Sequence, residues 1–169
     1  MPGLTLRPFR KGDEADLVLH ANNPRIQRAV RDTFPYPYTI QDAHNWVAYC
    51  QAQEAGSNHF RAITLDHRVI GGIGAIRSQD VYRYNAEVGY WLGESCWGKG
   101  YATQALIMMT ETLFALTDLH RLYAGVFSFN TASMRVLAKA GFHQEAVHRE
   151  AIYKEQTYWD EYYFVKFRE

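Results

Sequence analysis

Apolar and polar residues alternate from Leu4 to Phe9, the period of a strand with one buried face. Gly12-Asp13 follows, and Asp13 is placed to cap a helix running through His20. A second short helix is expected from Pro24. The stretch Phe34-Pro35-Tyr36-Pro37-Tyr38 is then extended, because each proline disfavours helix in the residue before it. From Thr39 or Gln41-Asp42 another helix starts, with Ala43, Trp46, Val47 and Cys50 on one face, and it ends near Gly56. Phe60 to Leu65 and Val69 to Ile76 read as strands joined by the hairpin-length Asp66-His67-Arg68, although Gly71, Gly72 and Gly74 weaken the second. Ala86 to Leu92 is a further strand, with Glu87, Gly89 and Trp91 on one face and Val88, Tyr90 and Leu92 on the other.

The strongest helical periodicity runs from Tyr101 to about Leu116, where Ala102, Ala105, Leu106, Met109, Leu113 and Leu116 recur at spacings of three and four. Arg121 to Ser128 is a strand, Thr131 to Ala140 a helix ended by Gly141, and two last strands run near Phe142 to His148 and Trp159 to Phe167. Strand, helices, three strands, helix, strand, helix, two strands is an α/β order that predicts a mixed sheet with helices on both sides. No linker or internal repeat interrupts it, so one domain is expected over residues 1–169.

Composition narrows the function classes. Eighteen basic and eighteen acidic side chains cancel, so no global field gathers nucleic acid or an anionic membrane, and an anion site must be built locally. Two cysteines, Cys50 and Cys96, make no disulfide framework, and neither they nor the seven histidines show metal-ligand spacing. No metal is expected. Cys96 adjoins a glycine cluster but reads as a small buried side chain. No run of about eighteen apolar residues exists and no signal-like leader opens the chain, which predicts a soluble, cytoplasmic protein.

The candidate chemistry sits in Trp97-Gly98-Lys99-Gly100-Tyr101-Ala102-Thr103, between a strand and a helix N-terminus. Free N–H groups and the positive end of the helix dipole suit phosphate there, and glycine lets the backbone approach it. Gly93 to Lys99 satisfies G-x-x-x-x-G-K, but Gly100 stands where a nucleotide hydrolase needs a magnesium-binding hydroxyl. The dinucleotide fingerprint lacks its third glycine and would lie mid-chain.

The segment resembles the acyl-CoA signature Gln/Arg-x-x-Gly-x-Gly/Ala of the GNAT superfamily of N-acetyltransferases, with Gly100 and Ala102 in the last two places and Trp97 in the first. Together with Glu87-Val88-Gly89-Tyr90-Trp91-Leu92, Leu6-Arg7-Pro8, Pro35-Tyr36-Pro37-Tyr38-Thr39, Asn130-Thr131-Ala132-Ser133, Lys139-Ala140-Gly141-Phe142 and Asp160 with Tyr163, the chain is similar to the RimJ/RimL branch over essentially its whole length.

That resemblance implies a GNAT fold, a mixed sheet of about seven strands splayed in the middle, and acetyl-CoA as co-substrate. It implies that N–H groups of Gly98, Lys99, Gly100, Tyr101, Ala102 and Thr103 hold the pyrophosphate, that the main chain of Tyr90, Trp91 and Leu92 pairs with the pantetheine, and that Asn130 and Arg135 also contact the cofactor. An N–H near Tyr90 or Trp91 would stabilise the tetrahedral oxyanion. Asn130 also reads as a plain helix cap. A primary amine of a protein N-terminus or a small molecule is the implied acceptor, with no nucleic acid or membrane partner. The amine must be neutral to attack, at a cost near neutral pH of roughly 4 kcal/mol for a lysine side chain and about 1 for a terminal amine. Glu87, whose parity points it into the cleft, is the candidate base, against the plainer reading of an ion-paired strand carboxylate. Many relatives supply a tyrosine to the departing thiolate; here that position holds Leu137, and Ser133 is the substitute candidate, against a first-turn helix serine. A non-catalytic acyl-CoA-binding module is the alternative function. Monomer and homodimer are both open.

Overall fold

The computed structural model describes residues 3–169. A sheet of seven strands runs in the order β1-β2-β3-β4-β5-β7-β6, with β1 Leu4–Arg7, β2 His59–Leu65, β3 Arg68–Arg77, β4 Asn85–Leu92, β5 Arg121–Phe127, β6 His143–Lys154 and β7 Thr157–Phe167. Every neighbouring pair is antiparallel except β4 and β5. Five helices complete the fold: α1 Glu14–Ala21, α2 Pro24–Ala29, α3 Ile40–Gln53, α4 Tyr101–Leu116 and α5 Thr131–Lys139.

Strand alternation splits the core into two layers. Leu106, Met109 and Leu113 of α4 and Leu137 of α5 pack with Val88, Leu92, Leu122, Ala124 and Val126 of β4 and β5. Leu17 and Ala21 of α1 and Ala43, Val47 and Cys50 of α3 pack with Phe60, Ala62 and Val69 of β2 and β3. Helices thus cover both faces of a mixed sheet. Thr39 caps α3 in a reciprocal capping box with Asp42, and Gly141, at φ 86°, leaves α5 in the left-handed conformation expected of a C-cap glycine.

Three local expectations change. Asp13 makes no cap bond to α1; its carboxylate instead accepts from the Arg7 guanidinium at 2.7 and 2.8 Å and from the Arg10 N–H at 2.9 Å, the stronger charge-assisted option. The glycines of β3 do not break the strand: a Cβ at Gly72 would meet the Trp91 indole and one at Gly74 the Phe60 ring, so their bareness admits neighbouring aromatics. The last two strands are longer than the pattern predicts, forming a hairpin that reverses at Glu155-Gln156.

The sheet opens at one place. The parallel ladder of β4 and β5 contains only Asn85↔Arg121, Ala86↔Leu122 and Glu87↔Tyr123. Beyond it β4 stays paired with β3 as far as Leu92, and β5 with β7 as far as Phe127. The two halves of the sheet therefore remain intact while the strands between them part, as the expected central splay requires.

Candidate active site

The open end of β4 leads into the glycine loop. Gly93 to Cys96 turn tightly, and Gly98 and Gly100 hold φ 73° and 81°, values that only glycine takes without strain. Gly100 is the N-cap of α4. An added Cβ at Gly98 would meet nothing within 4 Å, so the loop is a bare cradle at a helix N-terminus. Trp97 braces it: its indole N–H donates to the Leu92 carbonyl at 2.7 Å, and the Arg25 guanidinium lies 5.1 Å from its ring centroid. The residue that departs from the usual signature is thus a structural strut beneath a cation.

A cavity of about 500 Å³ joins this loop to the opening in the sheet. Tyr90, Trp91 and Leu92 of β4, Gly98, Gly100, Tyr101, Ala102 and Thr103 of the loop and α4, and Asn130, Ser133 and Arg135 at the start of α5 all line it. Of the residues anticipated to hold the cofactor, Lys99 alone lies off this wall; its ammonium folds back onto the Ser95 carbonyl at 2.9 Å. Arg25, Arg28 and Lys139 also line the cavity, so with Arg135 it has four cationic side chains in a chain of zero net charge. The two α2 arginines carried no motif and are placed only by the fold.

Asn130 caps α5, its side-chain oxygen accepting from the Ser133 N–H at 3.2 Å. The Ser133 hydroxyl and the Tyr90 phenol are hydrogen-bonded at 2.7 Å. Burial pushes the Tyr90 phenol up to about 12, with the Ser133 bond acting weakly against it, so this pair holds its proton through neutral pH. No motif in the sequence marks the Tyr90 hydroxyl; the resemblance implies a role for its main chain alone. Leu137 is fully buried in the core and offers nothing to the cavity.

Glu87, the last residue of the parallel ladder, lies on the other face and bonds the Arg31 guanidinium, which extends from the loop after α2. Glu161 of β7 is on the same side, 9% exposed, and burial is the main cause raising its proton affinity above that of an ordinary glutamate; the Arg31 charge opposes this and the Glu87 charge adds to it. A second hollow of about 440 Å³ has Tyr123, His148 and Tyr163 among its walls. Among the described residues no cluster of His, Cys, Asp or Glu has metal-binding geometry, and no helix is long and apolar enough to cross a membrane.

The model of the acetyltransferase (GNAT) domain family matches residues 3–143. A probable N-acetyltransferase of Bacillus subtilis, YjcK, is 39% identical over 90 residues, which cover 53% of this chain and 50% of that protein. Among solved structures, RimJ of Mycobacterium smegmatis in complex with CoA-disulfide superposes with a TM-score of 0.84 at 24% identity, covering 97% of this chain and 81% of that one. A spermidine N-acetyltransferase of Vibrio cholerae in complex with CoA and spermine superposes with a TM-score of 0.82 at 20% identity, covering 99% and 97%. At these identities the structural likeness establishes the fold.

Proposed function

Because this chain belongs to the GNAT acetyltransferase family, we propose that it transfers the acetyl group of acetyl-CoA directly to a primary amine within a ternary complex. The observation that carries this reading is the parting of β4 from β5 immediately after Glu87↔Tyr123, with a bare glycine cradle at one end of the opening and carboxylates at the other. The residues fit acetyl-CoA chemically. N–H groups at Gly98 to Thr103 and the α4 dipole suit the pyrophosphate, supported by Arg135 and the α2 arginines. The edge of β4 left unpaired past Glu87 presents main-chain donors and acceptors to the pantetheine amides, as an added strand would.

An acetyl thioester is already activated, so the protein need only bind, orient and move protons. A main-chain N–H at Tyr90 or Trp91 faces the developing oxyanion. Ser133, backed by the Tyr90 phenol, delivers a proton to the departing sulfur. The amine approaches from the Glu87 face, where carboxylates attract an ammonium. The spermidine N-acetyltransferase of Vibrio cholerae and the ribosomal L7/L12 alpha-N-protein acetyltransferase among the fold's neighbours motivate two acceptor classes to test, polyamine and protein N-terminus.

The test is release of free thiol from acetyl-CoA in the presence of an alanine-initiated peptide, spermidine or kanamycin. Amine-dependent release on any of them supports the reading. Acetyl-CoA binding with no release on any acceptor supports a non-catalytic acyl-CoA module instead.

A further inference from the structure

Glu161 pairs with Phe127 of β5 on one side and His148 of β6 on the other. Its carboxylate lies over Gly125, where any Cβ would collide with its oxygen. Gly125 stands two residues beyond Tyr123, the last β5 residue paired with β4. Glu161 therefore hangs over the β5 lip of the opening. On the β4 lip, two residues beyond Glu87, Gly89 has empty space where its side chain would be. A buried carboxylate thus stands on the β5 side of the opening, over Gly125 and on the same sheet face as Gly89, a costly arrangement that packing alone does not favour.

The groups facing Glu161 are Glu87 of β4, Tyr123 of β5, His148 of β6, Tyr163 of β7 and Arg31 from the loop after α2. Arg31 is hydrogen-bonded to Glu87 and acts on Glu161 through its field alone. Glu87 thus has a guanidinium partner of its own, and the two glutamates are not equivalent.

We propose that Glu161 is the residue that receives the acceptor ammonium at the opening and takes its proton, with Gly125 kept bare to seat the carboxylate. The inference rests on the acetyltransferase reading and assigns the base within it. The ammonium nitrogen gives one proton to the Glu161 carboxylate, and its freed lone pair forms the C–N bond to the thioester carbon. The C–S bond breaks with its electrons going to sulfur. The second proton lost from nitrogen accounts for the one that sulfur gains by way of Ser133, and Glu161 passes its own proton to solvent, so each turnover releases one proton. Burial tunes the group for this work, because a carboxylate with raised proton affinity is a stronger base than an exposed one. Glu87, engaged by Arg31, contributes its charge to the field and does not take the proton.

The experiment measures kcat, KM and their pH dependence for the parent, Glu161→Gln and Glu87→Gln, using whichever of the alanine-initiated peptide, spermidine and kanamycin the parent acetylates fastest, with acetyl-CoA affinity measured alongside. Glu161→Gln is expected to lower kcat about 100-fold or more and to abolish the acidic limb of the profile, leaving acetyl-CoA affinity within about twofold. Glu87→Gln is expected to keep that limb. Gly125→Ala, which displaces the carboxylate without removing it, is expected to lower kcat in the same direction. A Glu161→Gln enzyme that retains the limb with kcat within about threefold of the parent, or that loses only KM, overturns the assignment while leaving the acetyltransferase reading intact. A parent that acetylates none of the three amines overturns that reading and this inference with it.

Discussion

Gly98 and Gly12 offer a matched pair for testing the anion cradle. Both hold positive φ, 73° and 103°, and at both an added Cβ would meet nothing within 4 Å. Alanine at either position therefore suffers backbone strain without a clash, about 1–2 kcal/mol per residue. At roughly 2–4 °C per kcal/mol for a chain of this size, each variant should melt about 2–8 °C below the parent. Their effects on binding should separate. The space beside Gly98 is where the pyrophosphate is to sit, so the new methyl group blocks the approach and turns an N–H aside. Losing one hydrogen bond to a charged group is worth about 1.5–3 kcal/mol, roughly a 10- to 100-fold rise in the acetyl-CoA Kd. Gly12 lies in the loop before α1, away from the cavity, and Gly12→Ala should leave Kd unchanged. Calorimetric titration paired with thermal melting reads both quantities. Equal affinity in Gly98→Ala and Gly12→Ala, at equal loss of stability, would refute the cradle.

Tyr90→Phe removes the hydroxyl bonded to Ser133 and should lower kcat about tenfold with acetyl-CoA affinity intact; the effect is smaller than that of a full general acid because a thiol of pKa near 8.5 leaves readily. Glu161→Gln should raise the melting temperature at pH 7 and have little effect below about pH 4. The sign follows from linkage: burial raises the folded-state pKa, so the folded protein holds a proton that the unfolded chain has released, and stability falls as pH rises through that window. A melting temperature at pH 7 lowered by Glu161→Gln would contradict it. Arg31→Ala breaks a largely exposed ion pair and should change stability by no more than about 0.5 kcal/mol in urea denaturation.

Much of the framework was legible in the residue pattern, for reasons that are local. The spacing of Ala105, Leu106, Met109 and Leu113 marks α4 because one helix face meets one sheet. The positive-φ requirement at Gly98 and Gly100 is likewise a property of a few consecutive residues. What escaped was long-range or relational. The extent of the splay was not visible, since β4 looks the same whether three of its residues or all eight pair with β5. The continuation of β6 past His148 was hidden by a register shift and by Glu150 at φ 50°. Glu87 was singled out by its strand parity, but its partner Arg31 arrives from a distant loop. Nothing in the strand pattern marks Glu161, because its meaning depends on Gly125, a residue with no side chain on another strand. The α2 arginines belong to the same class: cations without a motif, made relevant by where a short helix lands.

The most direct measurement is calorimetric titration of the protein with acetyl-CoA, with ATP plus magnesium as the control ligand, followed by the thiol-release assay on the three amines. Acetyl-CoA is expected to bind in the micromolar range, magnesium-ATP not to bind at the same concentrations, and thiol release to depend on one of the amines. Absence of acetyl-CoA binding would contradict the acetyltransferase reading.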